Sequence, residues 1–364
     1  MVATDDQMET LSKPEADFNR EKAMGKTMRR WQMSAIGRGN LSLAAVPVPE
    51  PKGGEVLVKV GAASLNYRDK LVIETGMGLP LAFPFTPASD LAGTIAATGA
   101  GAKRFATGDR VISNFIPDWI DGRRPGDARV PHYQTLGGFY PGVLADYVCF
   151  PEDWLVKAPT RLDDAEASCL PIAALTAWSA LIELGALHAG QTVVVQGTGG
   201  VALFGLQLAK LHGAEVIVTS SSDDKLARAK ALGADHGINY RKEDWVEAVY
   251  RLTQDRGADH VLEIAGGPHL ARSLAAVAVQ GRISVIGVLE GFEISGPAGP
   301  LLLKSPVIQG ISVGHRRGLE QLVAAVDHAG LKPVIDHRYG LKDLPAALDH
   351  LDRGPFGKVV LTMD

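Results

Sequence analysis

Short apolar runs separated by glycine and proline fill the chain from RRWQMSAIG, near residue 29, to about residue 160. Among them are EVLVKVGAASL, DLAGTIAATG, DRVISNF and LADYVCF. Strand-length runs between turn residues predict a barrel-like, antiparallel β domain. Residues 116–142 (IPDWIDGRRPGDARVPHYQTLGGFYPG) interrupt it as a long loop, and long ordered loops within a domain are often functional. From residue 190 the pattern changes. Strand runs at 192–196, 215–219, 236–240, 260–264, 282–286 and 307–313 alternate with helix-length amphipathic segments such as ALFGLQLAKLH and DDKLARAKALG. That alternation predicts an α/β fold with a doubly wound parallel sheet, and continuous Val/Ile runs suit strands buried on both faces. The last fifty residues mix helix and strand. The first 28 carry little apolar periodicity and predict a flexible tail.

A chain of 364 residues is too long for one core and suits two domains. Its net charge of −4 gives no basis for a nucleic-acid or anionic-membrane partner. The apolar runs are short, and none approaches a membrane-spanning helix. The first 30 residues are polar with charges of both signs, so no secretory signal is expected there. Only Cys149 and Cys169 carry thiols, so a reducing, cytoplasmic location is expected, with both as structural thiols rather than a disulfide.

Strand 192–196 runs into Gly197-Thr198-Gly199-Gly200-Val201-Ala202, a G-x-G-x-x-A turn that opens a helix. The first glycine allows the tight turn, the second admits a pyrophosphate to the backbone, and the small third residue lets helix pack on strand. The helix N-terminus adds free N–H groups and positive partial charge. The second strand ends in Thr219-Ser220-Ser221-Ser222, where an NAD site would place a carboxylate for the ribose. Hydroxyls at Ser220 and Ser221, with Lys225 nearby, favour NADPH, with NADH still open. The same serines also suit a helix cap.

These motifs, with GDRV (108–111), GVLADY (142–147), LPIAALTAW (170–178), KLARAKALGAD (225–235) and GKVVL (357–361), resemble the medium-chain dehydrogenase/reductase superfamily over residues 31–364. The resemblance implies a GroES-like β-barrel catalytic domain over 29–171, a Rossmann domain over 172–313 and a return to the first domain over 314–364. It also implies a small-molecule substrate and a homodimer paired along strand 307–313. Zinc members of the family carry Cys-His where this chain has Asn66-Tyr67, and His-Glu where it has Ser89-Asp90. Their later cysteine ligand falls on Ile172, and residues 112–140 contain none of the structural-zinc cysteines. The pattern looks like the zinc-free quinone oxidoreductases and enoyl reductases. In that branch Lys225 and Tyr240 would contact the 2′-phosphate, and Asn66 would lie beside the nicotinamide. Thr176 would touch the carboxamide region, while Gly287, Val288 and Leu289 would line the nicotinamide side.

Without a metal, reduction of an activated C=C bond or a quinone is easier than alcohol oxidation, because charge lands on a conjugated oxygen that a hydrogen-bond donor can stabilise. Tyr67 is the first candidate donor, against a plain packing role. Arg68 suits a surface or interdomain ion pair, and Asp69 suits a turn-fixing carboxylate better than a base. His132 and Tyr133 could reach the cleft, though a solvated position suits His132 better. Trp119, Phe139 and Tyr140 supply the long loop's apolar bulk, and the loop is expected to wall the substrate pocket. Two other readings stand beside the quinone or enone reductase: a zinc alcohol dehydrogenase, and a cofactor-binding protein without turnover.

Overall fold

The computed structural model describes residues 27–363. Residues 1–26 of the expected tail lie outside the described residues, and Thr27 and Met28 open a strand rather than close a tail. That strand, β1 (Thr27–Met33), pairs antiparallel with β2 (Leu41–Pro47).

The first domain is built on a seven-stranded sheet. Its members are β3 (Glu55–Leu65), β4 (Asp90–Thr98), β5 (Arg110–Ser113), β6 (Tyr147–Pro151) and β7 (Leu155–Lys157), joined by two strands from late in the chain. The pairing among β3 to β7 is antiparallel, as the punctuated apolar runs predict.

The second sheet is parallel throughout. It takes β8 (Thr192–Gln196), β9 (Glu215–Ser220), β10 (His236–Asn239), β11 (Ala258–Glu263), β12 (Val277–Val285) and β13 (Val307–Gly310) in the order β10-β9-β8-β11-β12-β13. All five residues of β8 are buried, because a parallel strand is covered on both faces. The strand order reverses between β8 and β11, and in such sheets a ligand crevice opens at that switch point, beyond the carboxyl ends of the strands. β13 is shorter than the 307–313 expected: pairing with β12 stops at Gly310, and Val313 turns into the left-handed region. The strands β14 (Ile335–Gly340) and β15 (Lys358–Thr362) return to the first sheet, with β15 seated between β14 and β3.

Helix α1 (Tyr67–Thr75) follows β3, and α2 (Asp164–Glu183) follows β7. Asp163 and Glu166 cap the start of α2 reciprocally, and π turns widen it at Leu170–Ala174 and Ser179–Glu183. By length and composition α2 could cross a membrane, unlike the strand-length apolar runs expected, but 83% of its apolar stretch is buried in the protein. It is a core helix, and the expected domain division at 171/172 falls inside it. Helix α3 (Gly200–Leu211) follows β8, and α4 (Asp223–Ala231) follows β9. The two thiols are free. Burial pushes both up to about 12, which keeps Cys149 and Cys169 protonated and inert.

Candidate active site

The glycine turn sits at the switch point. Gly197 has φ of +80°, and at both Gly197 and Gly199 no atom lies within 4 Å of where a Cβ would stand. That open space, at the start of α3, fits a pyrophosphate approaching the backbone. Gly200 faces inward instead: a Cβ there would meet the Lys358 stem at 2.6 Å. Thr198 is buried, and its carbonyl accepts from the Gly357 N–H at 3.0 Å, so the turn is stitched to the segment entering β15. Val201, in the first turn of α3, packs against the domain core.

At the far end of the crevice Ser220 is buried, and its hydroxyl accepts from the Ser222 N–H. Ser222 caps α4 through the Lys225 N–H, so capping occupies it and leaves Ser221 half-exposed beside the site. Lys225 reaches across to the Gly354 carbonyl. Tyr240 follows directly on β10, its N–H donating to the Ser220 carbonyl, and is 50% exposed. The nearest carboxylate, Asp223, is held by Asn239 and by Lys242, both of which depress its pKa. Its charge is thereby neutralised locally, which weakens the repulsion a 2′-phosphate would meet.

The Asn66-Tyr67 turn joins β3 to α1, and Asn66 caps the helix. Its N–H donates to Asp69 Oδ2 at 2.8 Å in a capping box. Its side chain is held at both ends: Nδ2 donates to Asp90 Oδ2 at 2.9 Å, and Oδ1 accepts from Lys358 Nζ at 2.6 Å. The Lys358 ammonium also donates to the Leu65 carbonyl at 2.8 Å. Asp90 accepts in addition from Ser89 Oγ and from the Ile172 N–H, at the first π turn of α2. Asp69 and Asp90 are fully buried. Desolvation raises both, Asp90 to about 7, with Lys358 pulling the other way. Two carboxylates and one ammonium thus lie beneath the turn.

Tyr67 differs from its neighbours. It is 42% exposed, with the Lys70 ammonium 5.6 Å from the centre of its ring. Its hydroxyl makes no hydrogen bond among the described residues and is free to donate.

The carboxyl end of β11 carries a third buried carboxylate. Glu263, at the end of β11, accepts from Gln196 Nε2 at 3.0 Å, the Gly266 N–H at 2.9 Å, Ser273 Oγ and His269 Nδ1. Burial alone would raise this carboxyl, but the four donors together hold it below its ordinary range. Gln196 Oε1 accepts from the Ile264 N–H at 3.0 Å, tying the ends of β8 and β11 together. Gly287 stands against this loop so closely that a Cβ would lie 1.7 Å from the Ile264 carbonyl oxygen. Val288 is half-buried and Leu289 is 53% exposed beyond it. Thr176 is buried in α2, with its hydroxyl donating to the Ile172 carbonyl at 2.7 Å. Contacts link these expected site residues in steps: Ile172 joins Asp90 below Asn66 to Thr176, Lys358 joins Asn66 to Gly200 of the glycine turn, and Gly287 stands against the loop after β11. Lys358, Glu263 and Gln196 join them although sequence reasoning passed them over. A lysine inside the apolar strand KVVLT, and polar residues closing the runs TVVVQ and ADHVLE, were the available signals.

The long loop is strapped down. Arg68, only 12% exposed, donates to Tyr133 Oη at 3.2 Å, to the Gly137 carbonyl at 3.1 Å and to Thr135 Oγ1 at 2.5 Å, and lies 4.9 Å over the Phe115 ring. It binds the loop rather than a surface partner. The Trp119 and Ile120 carbonyls accept from the N–H groups of Arg316 and Arg317. His132 is tucked in rather than solvated: its Nε2 is buried without a hydrogen bond, 3.8 Å from Asp118. Phe139 packs edge-on against Tyr140, which leans on Trp154. A cavity of about 690 Å³ opens between the loop, α2 and the β13 region, lined by Trp119, Arg124, Glu183, Ile311 and His315 but not by Asn66 or Tyr67.

The donor set is poor for zinc. Asn66, Tyr67, Ser89 and Ile172 supply no thiolate or imidazole, and the Asp90 carboxylate is already hydrogen-bonded. Among the described residues no group of three His, Cys, Asp or Glu is placed to hold a metal ion.

Comparison with known proteins bears on this crevice. Residues 52–160 match the alcohol dehydrogenase GroES-like domain family, and residues 200–328 match the zinc-binding dehydrogenase family. The chain is 41% identical over 290 residues to a zinc-type alcohol dehydrogenase-like protein of Schizosaccharomyces pombe, covering 78% of this chain and 83% of that one. It is 28% identical over 296 residues to the human quinone oxidoreductase, covering 80% and 83%. A crystal structure from Sinorhizobium meliloti, provisionally named an alcohol dehydrogenase, is 66% identical with a TM-score of 0.91, covering 93% of this chain and all of that one. An NAD-dependent alcohol dehydrogenase structure is 35% identical with a TM-score of 0.83 over the same shares.

Proposed function

Because the chain belongs to the medium-chain dehydrogenase/reductase superfamily, we propose that it is an NADPH-dependent reductase of quinones or α,β-unsaturated carbonyls that works without catalytic zinc. An oxidoreductase using a nicotinamide cofactor follows from the family; the acceptor, the absence of zinc and the preference for NADPH are the proposal. The observation that carries it is the Asn66 carboxamide, pinned between Asp90 and Lys358 where zinc relatives place a ligand.

The glycine turn would hold the cofactor's pyrophosphate, and its nicotinamide, beside Asn66, would supply a hydride to an electron-poor carbon of the acceptor. The chain's own task is to receive the charge that then collects on the conjugated oxygen. Tyr67 has the free hydroxyl for this, donating a hydrogen bond as the anion forms, with the proton completed from water. The pinned amide forms the rigid floor beside it. Ser221, Lys225 and Tyr240 support NADPH, with Asp223 occupied by Asn239 and Lys242. The named NAD-dependent alcohol dehydrogenase relative supports the second reading, in which NADH and an alcohol are the substrates. A homodimer along β13 belongs to the proposal, supported by the exposed Leu302, Leu303, Val307 and Ile308 at that edge, and so does a cytoplasmic location.

The test is NADPH and NADH oxidation against a panel of quinones, enones and aldehydes, with zinc measured on the same protein. Turnover of a quinone or enone at under about 0.1 zinc per chain supports the proposal. Stoichiometric zinc whose removal abolishes activity overturns it, as does activity confined to alcohols and aldehydes. Light scattering tests the dimer.

A further inference from the structure

Lys358 is 4% exposed, in a strand whose other members are apolar or nearly so. A buried ammonium without partners is costly, and this one has been given them. Two of its three N–H donors go to Asn66 Oδ1 and the Leu65 carbonyl. Its methylene stem lies against Gly200, at the first residue of α3. One side chain therefore touches the cofactor turn with its stem and the Asn66 amide with its head.

An asparagine amide has two nearly isosteric orientations, and its neighbours decide between them. Lys358 can only donate, so it fixes Oδ1 on its own side. Asp90, accepting at 2.9 Å, fixes Nδ2 on the other. One N–H of the amide remains unspent, on a residue that is only half-buried.

We infer that Lys358 is a positioning residue: its ammonium locks the Asn66 amide in one orientation and thereby fixes the nicotinamide pocket floor relative to the glycine turn. The inference rests on the proposed placement of the nicotinamide beside Asn66, but not on the identity of the acceptor. Lys358 acts through Asn66, so its effect disappears when that amide is gone.

A double-mutant cycle with Lys358→Met and Asn66→Ala tests this, using full-length protein and NADPH as the probe. Methionine keeps the length and the apolar stem, and Lys358→Gln serves as a second variant that retains an uncharged N–H donor group. The first readout needs no turnover: the fluorescence of bound NADPH, which reports how rigidly the nicotinamide is held. Lys358→Met is expected to bind NADPH within about threefold of wild type but to lose most of the fluorescence enhancement, with Lys358→Gln intermediate. On any acceptor the wild type reduces, kcat is expected to fall about tenfold or more, and the double variant to lie within about twofold of Asn66→Ala alone. Independent, multiplying effects overturn the inference. So does a loss confined to NADPH affinity with kcat kept, which would make Lys358 a direct phosphate ligand. A wild type that reduces only aldehydes sinks the proposed acceptor, while the coupling between Lys358 and Asn66 still decides the positioning role.

Discussion

Replacing Arg68 with methionine keeps most of the apolar stem and removes the fork that holds the long loop. Three of its hydrogen bonds, to Tyr133, Thr135 and the Gly137 carbonyl, are 3.2 Å or shorter, and the side chain is mostly out of water. A hydrogen bond from a charged donor contributes about 1.5–3 kcal/mol, and neighbouring bonds do not add fully, so the variant should lose about 3–5 kcal/mol. Much of this falls on local opening of 116–142, where about 3 kcal/mol raises the open fraction by about a hundredfold. Arg68→Lys should recover little, because one ammonium cannot serve three acceptors in a fork. The loss also has a pH signature. Burial raises Asp69, while Arg68, 4.0 Å away, lowers it. Without the guanidinium the carboxyl rises further and binds a proton that the unfolded chain releases, so the variant's deficit grows as pH rises above the ordinary carboxylate range. Urea unfolding at several pH values, with limited proteolysis of the 123–134 segment, reads both effects. A deficit under about 1 kcal/mol, or cleavage at the wild-type rate, would refute the strap.

Lys225→Ala should raise the KM for NADPH about 10–100-fold and leave that for NADH within about twofold, as expected for one lost charged hydrogen bond; equal effects on both cofactors would count against a 2′-phosphate site. Asp90, with Lys358, Asp69, Asn66 and Cys169 around it, is raised to about 7, so the folded state holds a proton that the unfolded state gives up above about pH 4. Its contribution is greatest in acid and declines as pH rises toward about 7; the stability gap between wild type and Asp90→Asn should shrink across that window, and a pH-independent gap would contradict the assignment. Glu263 has the opposite sign. Its depressed pKa stabilises the fold above the ordinary value and is lost as pH falls through it, so Glu263→Gln should cost about 1–3 kcal/mol at neutral pH and progressively less in acid, as urea midpoints would show.

Local patterns in the chain expose some of this site and hide the rest. The glycine turn is legible because strand, turn and helix are contiguous, and each glycine answers a local demand. The parallel sheet is legible because strands buried on both faces leave unbroken Val/Ile runs. Asn66 and Tyr67 are visible as polar residues ending an apolar strand, but the clamp on Asn66 is not, since Lys358 lies 292 residues away. Arg68 reads as a surface cation until the fold brings the loop back across it. The Glu263 cluster is local in part, since Gly266, His269 and Ser273 follow it closely, but Gln196 is brought in from 67 residues away by the sheet topology rather than by spacing. Helix α2 is hidden for another reason: residues 169–182 are apolar almost throughout, so they show no amphipathic period, and Pro171 within them argues against a continuous helix.

The position of β15 bears on biosynthesis. This strand fills the gap between β14 and β3, and it delivers the lysine that locks Asn66. A ribosome makes β3 almost 300 residues earlier, at about 5–20 residues per second. For many seconds, then, the nascent first domain leaves the Ala62–Leu65 end of β3 unpaired, beyond the part that β6 covers, and such an edge is a template for aggregation. The parallel sheet, by contrast, can close as soon as its own strands have emerged. Cofactor affinity on the ribosome should therefore precede catalytic competence, and chaperone demand should peak in the interval between the two.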